Sequence, residues 1–387
     1  MTASQTSVGD RPVSEGVQSS PENRIRYAVV GLGWFAQAAA LPSFPNSENS
    51  EVVALVSDDP AKLQELSQNY GIQHTYSYEE YEDCLRSGAV DAVYIALPDH
   101  LHCEYTVRAA NQGIHVLCEK PMATTVAEGE RMIQACQSNG VKLMIAYRLH
   151  LDPANMQAVE IVQSGQIGQP RIFNSVFSQQ VKGDNIRLRQ ATGGGALEDI
   201  GIYCINAARY LFHSEPVEVL AMAANNSEER FREVDEMISV ILRFPDQQLA
   251  NFTVSFGASP VSTYHIIGTK GDLRLESAYA WDAEITHHLT INNESSQQIF
   301  DPHSQLAAEF TYFSNCIMQN KDPEPSGIEG LNDIRIIHAL HGSIRQGKPV
   351  VLDQMDFVPH PTADLITVRP TNADHADLIH AASPEDS

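Results

Sequence analysis

Three stretches of this chain hold side chains whose types and spacing could do chemistry together. The first is Gly31-Leu32-Gly33-Trp34-Phe35-Ala36, which directly follows an apolar run, Ile25–Val30, and opens a helical pattern. A glycine-rich turn between strand and helix lets the backbone approach a pyrophosphate, whose charge the helix N-terminus favours. In such a unit a carboxylate at the end of the second strand accepts hydrogen bonds from ribose hydroxyls and repels a 2′-phosphate. Asp58 stands there, in Val56-Ser57-Asp58-Asp59-Pro60-Ala61-Lys62. Asp58 therefore leans the choice towards NAD, whereas Lys62, a turn later, attracts the phosphate of NADP. Asp58 or Asp59 is also a natural cap for the helix that follows.

The second stretch is Leu97-Pro98-Asp99-His100-Leu101-His102 together with Cys118-Glu119-Lys120-Pro121. Both leave the carboxyl ends of strands, where doubly wound sheets hold their ligands. Lys120, beside a proline, cannot lie inside a helix, so its ammonium is delivered to the crevice, where it can hold a hydroxyl and lower the pKa of a neighbouring acid. The third stretch is Gly193-Gly194-Gly195 followed by Asp199-x-x-x-Tyr203, whose last two members share one face of a helix.

These residues need a frame. From 24 to 146, short apolar runs (25–30, 52–56, 92–97, 115–117, 143–146) alternate with amphipathic stretches (35–41, 61–70, 77–86, 103–111, 125–139). That is the pattern of a parallel sheet with helical crossovers, an α/β dinucleotide-binding Rossmann domain. After Tyr147 the style changes. Helices are expected at 154–164 and 199–212. Alternating segments follow one another at 171–181, 217–224, 237–244, 249–256, 264–268, 273–276 and 285–291, with turn residues at Pro245-Asp246 and Lys270-Gly271-Asp272. This reads as an α+β domain, 147–352, with an open, predominantly antiparallel sheet, closed by helices at 307–320 and 329–346. Residues 1–23 read as a disordered polar arm and 353–387 as a polar tail.

Composition narrows the partners. The 387 residues carry 25 Lys+Arg against 49 Asp+Glu, a formal charge of −24, which argues against a nucleic acid or an anionic membrane surface. No run of about 18 apolar residues is present, so no membrane span is expected. The six cysteines form no Cys-x-x-Cys pair; they read as reduced thiols, and the expected compartment is the cytoplasm. No metal site is expected either. His287-His288 face opposite ways on a strand, and His338 and His341 lack accompanying ligands.

Taken together, Gly31-x-Gly33-x-x-Ala36, Glu119-Lys120-Pro121, Tyr147-Arg148 and Asp199-x-x-x-Tyr203 resemble the Gfo/Idh/MocA oxidoreductases, named for glucose–fructose oxidoreductase and inositol dehydrogenase. Asp199-Ile200-Gly201-Ile202-Tyr203 with Arg209-Tyr210-Leu211 is most similar to the glucose–fructose oxidoreductase branch. The resemblance implies hydride transfer between a nicotinamide and a sugar or polyol carbon, with Lys120, Asp199 and Tyr203 catalytic. A free phenol is a poor base at neutral pH, and an adjacent Lys120 ammonium favours the phenolate. The implied cofactor-binding set is Gly31, Gly33, Trp34, Phe35, Ser57, Asp58, Lys62, Leu97, Pro98, His102, Glu119, Arg148 and Arg187. Ser57 and Lys62 resemble NADP-binding positions of that branch, which has Gly where this chain has Asp58, so they oppose the lean towards NAD. Ile186 replaces a tryptophan usual beside Arg187. The branch also contains enzymes that oxidise one sugar and reduce another with a retained cofactor, covered by an N-terminal arm. A cofactor-sensing binding protein on the same scaffold is the non-enzymatic alternative. An apolar face left open on the second sheet, like the family's habit of assembly, predicts a homodimer or homotetramer.

Overall fold

The computed structural model describes residues 24–355, 358, 360–371 and 377–384; the N-terminal stretch read as a polar arm lies outside them. Six parallel strands, β1 (Ile25–Val30), β2 (Ser50–Val56), β3 (His74–Tyr76), β4 (Ala92–Ile95), β5 (His115–Cys118) and β6 (Leu143–Ile145), form a sheet of order 3-2-1-4-5-6. That is the doubly wound order of a dinucleotide-binding domain, with its switch point between β1 and β4. All of β4, and every residue of β1 but Arg26, is buried, as the unbroken apolar runs demand. The helix Pro60–Tyr70 is capped by the Asp59 side chain, and Val126–Ser138 starts on a Thr125/Glu128 capping box.

The second sheet has nine strands: β7 (Pro170–Gln180), β8 (Glu218–Ala224), β9 (Met237–Arg243), β10 (Leu249–Ser255), β11 (Gly257–Gly268), β12 (Gly271–Glu276), β13 (Ile285–Ile291), β14 (Glu294–Phe300) and β15 (Val350–Val351). Their order is 14-13-12-11-7-10-9-8-15, and every pairing is antiparallel except β7 with β10. One face packs on helices 202–212 and 327–346. The other keeps Ile172, Val176, Met222, Met237, Ile241 and Leu249 exposed.

Two features bring the domains together over the site. The helix Gln305–Met318, encoded after the second sheet, packs on the first one: Phe310 stacks on Phe44 at 3.9 Å, and Ser314 Oγ lies 2.9 Å from the Tyr27 hydroxyl and 2.7 Å from Ser50 Oγ. Between the domains lies a buried ion network. Arg209, wholly buried, donates to Glu215, Glu329 and Asp333; Asn206 donates to Glu329 and Asp333, and the Tyr147 hydroxyl donates to Asp333 at 2.7 Å. The segment read as a polar tail docks on this body too: Arg369 pairs with Glu48, and Ile379 is buried against the first domain.

Candidate active site

Lys120 leaves the end of β5 and reaches across to the second domain. Its Nζ donates to the backbone carbonyl of Asp199 at 2.8 Å and to Asp199 Oδ1 at 3.2 Å. The same ammonium lies 4.9 Å from the centre of the Tyr203 ring. Asp199 sits in a π-helical turn, Leu197–Gly201, that runs into the helix Ile202–Phe212 carrying Tyr203. Wide turns of this kind collect at functional sites because they re-aim a side chain without ending the helix. The glycine run before the turn permits close approach. A Cβ on Gly193 would lie 2.7 Å from Asp99 Cβ, and one on Gly194 would lie 2.4 Å from the Arg187 carbonyl.

Charges set the protonation states. Burial alone would raise the Asp199 carboxyl, but Arg187, with Nε at 2.7 Å from Oδ2, and Lys120 outweigh it and hold the acid down at about 2. Burial pulls the Lys120 amine down; Tyr203, Asp199 and Glu119 more than restore it, so it is held above its usual range. The centre therefore keeps an ammonium beside a carboxylate, with the phenol ring against the ammonium.

Beneath this lies a second layer that the sequence did not reveal. Arg148 is buried, its guanidinium donating to the carbonyls of Tyr279 and Ala280 and to Gln305, and lying 4.9 Å from the centre of the Tyr203 ring. Arg148, expected along the cofactor crevice, thus places its charge over the Tyr203 ring, where a cation is favoured by the ring face. His102, also expected to meet the cofactor, is held inside the first domain. Its ring is wholly buried between the carbonyls of Leu97 (2.8 Å) and Pro121 (2.9 Å), so it ties the two strand ends together and does not reach the crevice. The Glu119 carboxylate accepts from the Tyr94 hydroxyl at 2.6 Å. Near it the Glu309 carboxyl, wholly buried and with no hydrogen-bond partner among the described residues, is pushed by burial well above the usual carboxylate range. Asp99, which no motif reading singled out, is likewise raised by burial, against the pull of Lys120. Arg187 belongs to the Asp199 cluster, a pairing that its distance in sequence concealed.

Gly31, Gly33, Trp34, Phe35, Leu97 and Pro98 lie along the carboxyl edge of β1 and β4. Gly31 has φ 93°, and a Cβ there would meet the Ala96 carbonyl at 2.6 Å; a Cβ on Gly33 would meet nothing within 4 Å among the described residues beyond its own stretch of chain. The turn is thus closed against the sheet and open outward, a cradle that a dinucleotide pyrophosphate fits. Trp34 and Phe35 pack on Trp281 of the second domain, at 6.3 and 6.5 Å between ring centres. At the end of β2, Asp59 caps the next helix, which frees Asp58 of that duty; Asp58 Oδ1 accepts from the Tyr78 amide at 2.8 Å. Ser57 Oγ accepts from the Asp59 amide at 3.2 Å, and Lys62 stands in the first turn of the capped helix. Among the described residues there is no group of three or more His, Cys, Asp or Glu placed to hold a metal, and no helix is long and apolar enough to cross a membrane. His341 pairs with Glu198 at 2.6 Å.

A parallel sheet with a glycine cradle at its carboxyl edge, beside a Lys-Asp-Tyr cluster that joins the end of β5 to the helix at 197–212 of the second domain, defines a nicotinamide-dependent oxidoreductase. Residues 25–147 match the oxidoreductase family with NAD-binding Rossmann fold, and residues 155–274 match the GFO/IDH/MocA C-terminal domain. The chain belongs to the Gfo/Idh/MocA family. It is 34% identical over 347 residues to a D-xylose 1-dehydrogenase [NADP(+)] of Haloarcula marismortui, a match covering 87% of this chain and 95% of that protein. The aldose-aldose oxidoreductase from Caulobacter crescentus superposes with a TM-score of 0.82 at 37% identity, covering 85% of this chain and all of the other. A 3-ketoreductase from Actinomadura kijaniata in complex with NADP and TDP-benzene gives 0.77 at 26%, covering 83% and 98%. The cofactor class is NAD(P).

Proposed function

We propose that this protein oxidises a sugar or polyol at a CH–OH carbon, with residues 24–146 holding the cofactor and the following domain the substrate. One observation carries the reading: Lys120 Nζ joins the Asp199 carboxylate and the Tyr203 ring into one centre at the carboxyl edge of the parallel sheet. When bound, a nicotinamide supplies the acceptor or donor for the hydride on the substrate carbon. The protein's own work is with the proton and the orientation. Lys120 donates to the reacting oxygen, and Tyr203 takes the hydroxyl proton on oxidation and returns it on reduction. Asp199 holds the substrate hydroxyl and keeps Lys120 charged, while Arg187 fixes the aspartate. Gly31 and Gly33 cradle the pyrophosphate, with Trp34, Phe35, Leu97 and Pro98 along the crevice. Asp58 and Ser57 meet the ribose and Lys62 draws a 2′-phosphate.

The sugar class is supported by the named activities of the xylose dehydrogenase and the aldose-aldose oxidoreductase, 34% and 37% identical to this chain. The latter also favours a second reading, in which the cofactor stays bound while one aldose is oxidised and another reduced. Stoichiometric nicotinamide absorbance in the protein as isolated marks that case. The main reading is tested by titrating purified protein with NADP(H) and NAD(H), then screening aldoses for turnover with Lys120→Ala as control. Loss of turnover on Lys120→Ala is expected; a chain stabilised by neither cofactor refutes the reading, and cofactor binding without turnover on any sugar leaves the sensor.

The exposed apolar face of the second sheet supports a homodimer, or a tetramer made of two. Ile172 lies beside Leu249 on adjacent strands, and Ile241, Met222 and Val176 extend the same outer face. Six free, buried cysteines suit the reducing cytoplasm.

A further inference from the structure

The end of the chain returns to the cofactor crevice. Ile379 is bound at two points by the buried Gln37: its amide donates to Gln37 Oε1 at 2.8 Å, and Gln37 Nε2 donates to its carbonyl at 2.9 Å. Gln37 Nε2 also donates to the carbonyl of Leu32, inside the glycine-rich turn, and Ile379 shares an apolar cluster with Leu32 and Ala36. One residue on, His380 Nδ1 lies 2.9 Å from Asp59 Oδ2, at the end of β2 where a nucleotide ribose belongs. The chain then leaves the first domain. The carbonyl of the buried Pro384 accepts from the Lys182 amide at 3.0 Å, and that of Ser383 accepts from Lys182 Nζ at 3.4 Å. Lys182 follows β7 and stands five residues before Arg187, which holds the catalytic Asp199.

A single stretch, 379–384, thus touches the phosphate turn, the ribose end of the crevice and the loop beside the catalytic cluster. Six residues span at most about 20 Å, the scale of an extended dinucleotide. We propose that residues 377–384 are a wall of the cofactor site: a strap that lies along the outer side of a bound nicotinamide dinucleotide, with His380 at its adenosine end, and slows its release. This rests on the proposed NAD(P) chemistry and deepens it, because a strap that must lift before the nucleotide leaves favours repeated turnover on one retained cofactor.

The test compares the full chain with a truncation ending at Thr371, past the Arg369–Glu48 anchor, and with the full-length variant Ile379→Asp, which unseats the strap should the truncation fold poorly. NADPH is loaded, chased with excess NADP+, and its release followed by nicotinamide fluorescence. Both variants should release NADPH at least about tenfold faster, with a matching rise in Kd, since such changes fall mainly on the off-rate. The thermal midpoint of the cofactor-free protein serves as the folding control; it should fall with the loss of the buried Ile379 contacts while the transition stays cooperative. Folded variants that release NADPH within about twofold of the full chain overturn the strap and leave the proposed activity standing. A full chain that binds neither nucleotide overturns both.

Discussion

Replacing Asp199 by asparagine keeps its shape and removes one charge from the centre of the site. In the native protein its Oδ1 lies 3.2 Å from Lys120 Nζ, with side chains only 12% and 18% exposed. At an effective dielectric of about 20, unit charges at that distance attract by 332/(20 × 3.2), or about 5 kcal/mol, equal to a ceiling of nearly 4 pKa units for the lysine. Partial exposure lowers this to about 1–3 units, the range usual for one close opposite charge. The sign is fixed by burial. Burial already pulls the Lys120 amine down, and with Asp199 neutral only Tyr203 and Glu119 oppose it while Arg187 repels it. The basic limb of the kcat/KM profile should therefore move down by about two pH units, and kcat should fall roughly a hundredfold through loss of proton transfer and orientation. The assay is nicotinamide absorbance with the best aldose found by screening, from about pH 6 to 10, with a thermal midpoint as folding control. A folded Asp199→Asn enzyme whose basic limb and kcat both match the parent would refute the electrostatic reading of the centre.

Other outcomes follow from the same geometry. Asp58→Gly should raise the ratio of kcat/KM for NADP over NAD by about tenfold, since a like charge near the 2′-phosphate is removed; an unchanged ratio means that Asp58 does not read the ribose. His150 is wholly buried, and although burial alone would lower its pKa, Glu324 at 2.8 Å lifts it to about 9 from 6.5. A raised folded-state pKa stabilises fully below about 6.5 and is lost as pH rises through about 9, so the thermal midpoint should drop across that window and His150→Gln should flatten the drop. Arg209→Met leaves Glu215, Glu329 and Asp333 without their cation and should cost about 3–5 kcal/mol, read by denaturant unfolding. Ile241→Lys on the exposed sheet face should shift the mass seen by light scattering towards a monomer without altering cofactor binding.

Much of this was legible because it follows from local rules. Unbroken apolar runs gave away β1, β2 and β4, and the glycine turn announced its own position. The exposed edge strand β14, Glu-Ser-Ser-Gln-Gln-Ile-Phe, escaped because it buries no face and so carries no alternation. His74–Tyr76 escaped for the same reason, being short and largely exposed. At the site, Lys120 and Tyr203 were readable from motifs. The pairing of Arg187 with Asp199, the raised pKa values of the half-buried Asp99 and the buried Glu309, and the approach of Arg148 to the Tyr203 ring were not, because each depends on tertiary contacts. Nor does sequence show that the His102 ring bridges the carbonyls of Leu97 and Pro121, or that the Arg148 guanidinium is held by Tyr279, Ala280 and Gln305. The tail looked featureless because its anchors are mostly backbone groups, which composition does not reveal.

The helix Gln305–Met318 has a consequence for how the protein is made. It covers Tyr27, Phe44 and Ser50, yet about 160 residues separate it from the last strand of the sheet it completes. On the ribosome the first sheet emerges early and must wait, with one apolar face open, until nearly the whole chain has been synthesised. At roughly 5–20 residues per second that is a delay on the order of ten seconds or more. During it the exposed aromatic face is a target for chaperones and for neighbouring nascent chains. The nucleotide-binding half expressed alone should therefore accumulate as aggregate, and a co-expressed 305–318 segment should rescue part of it.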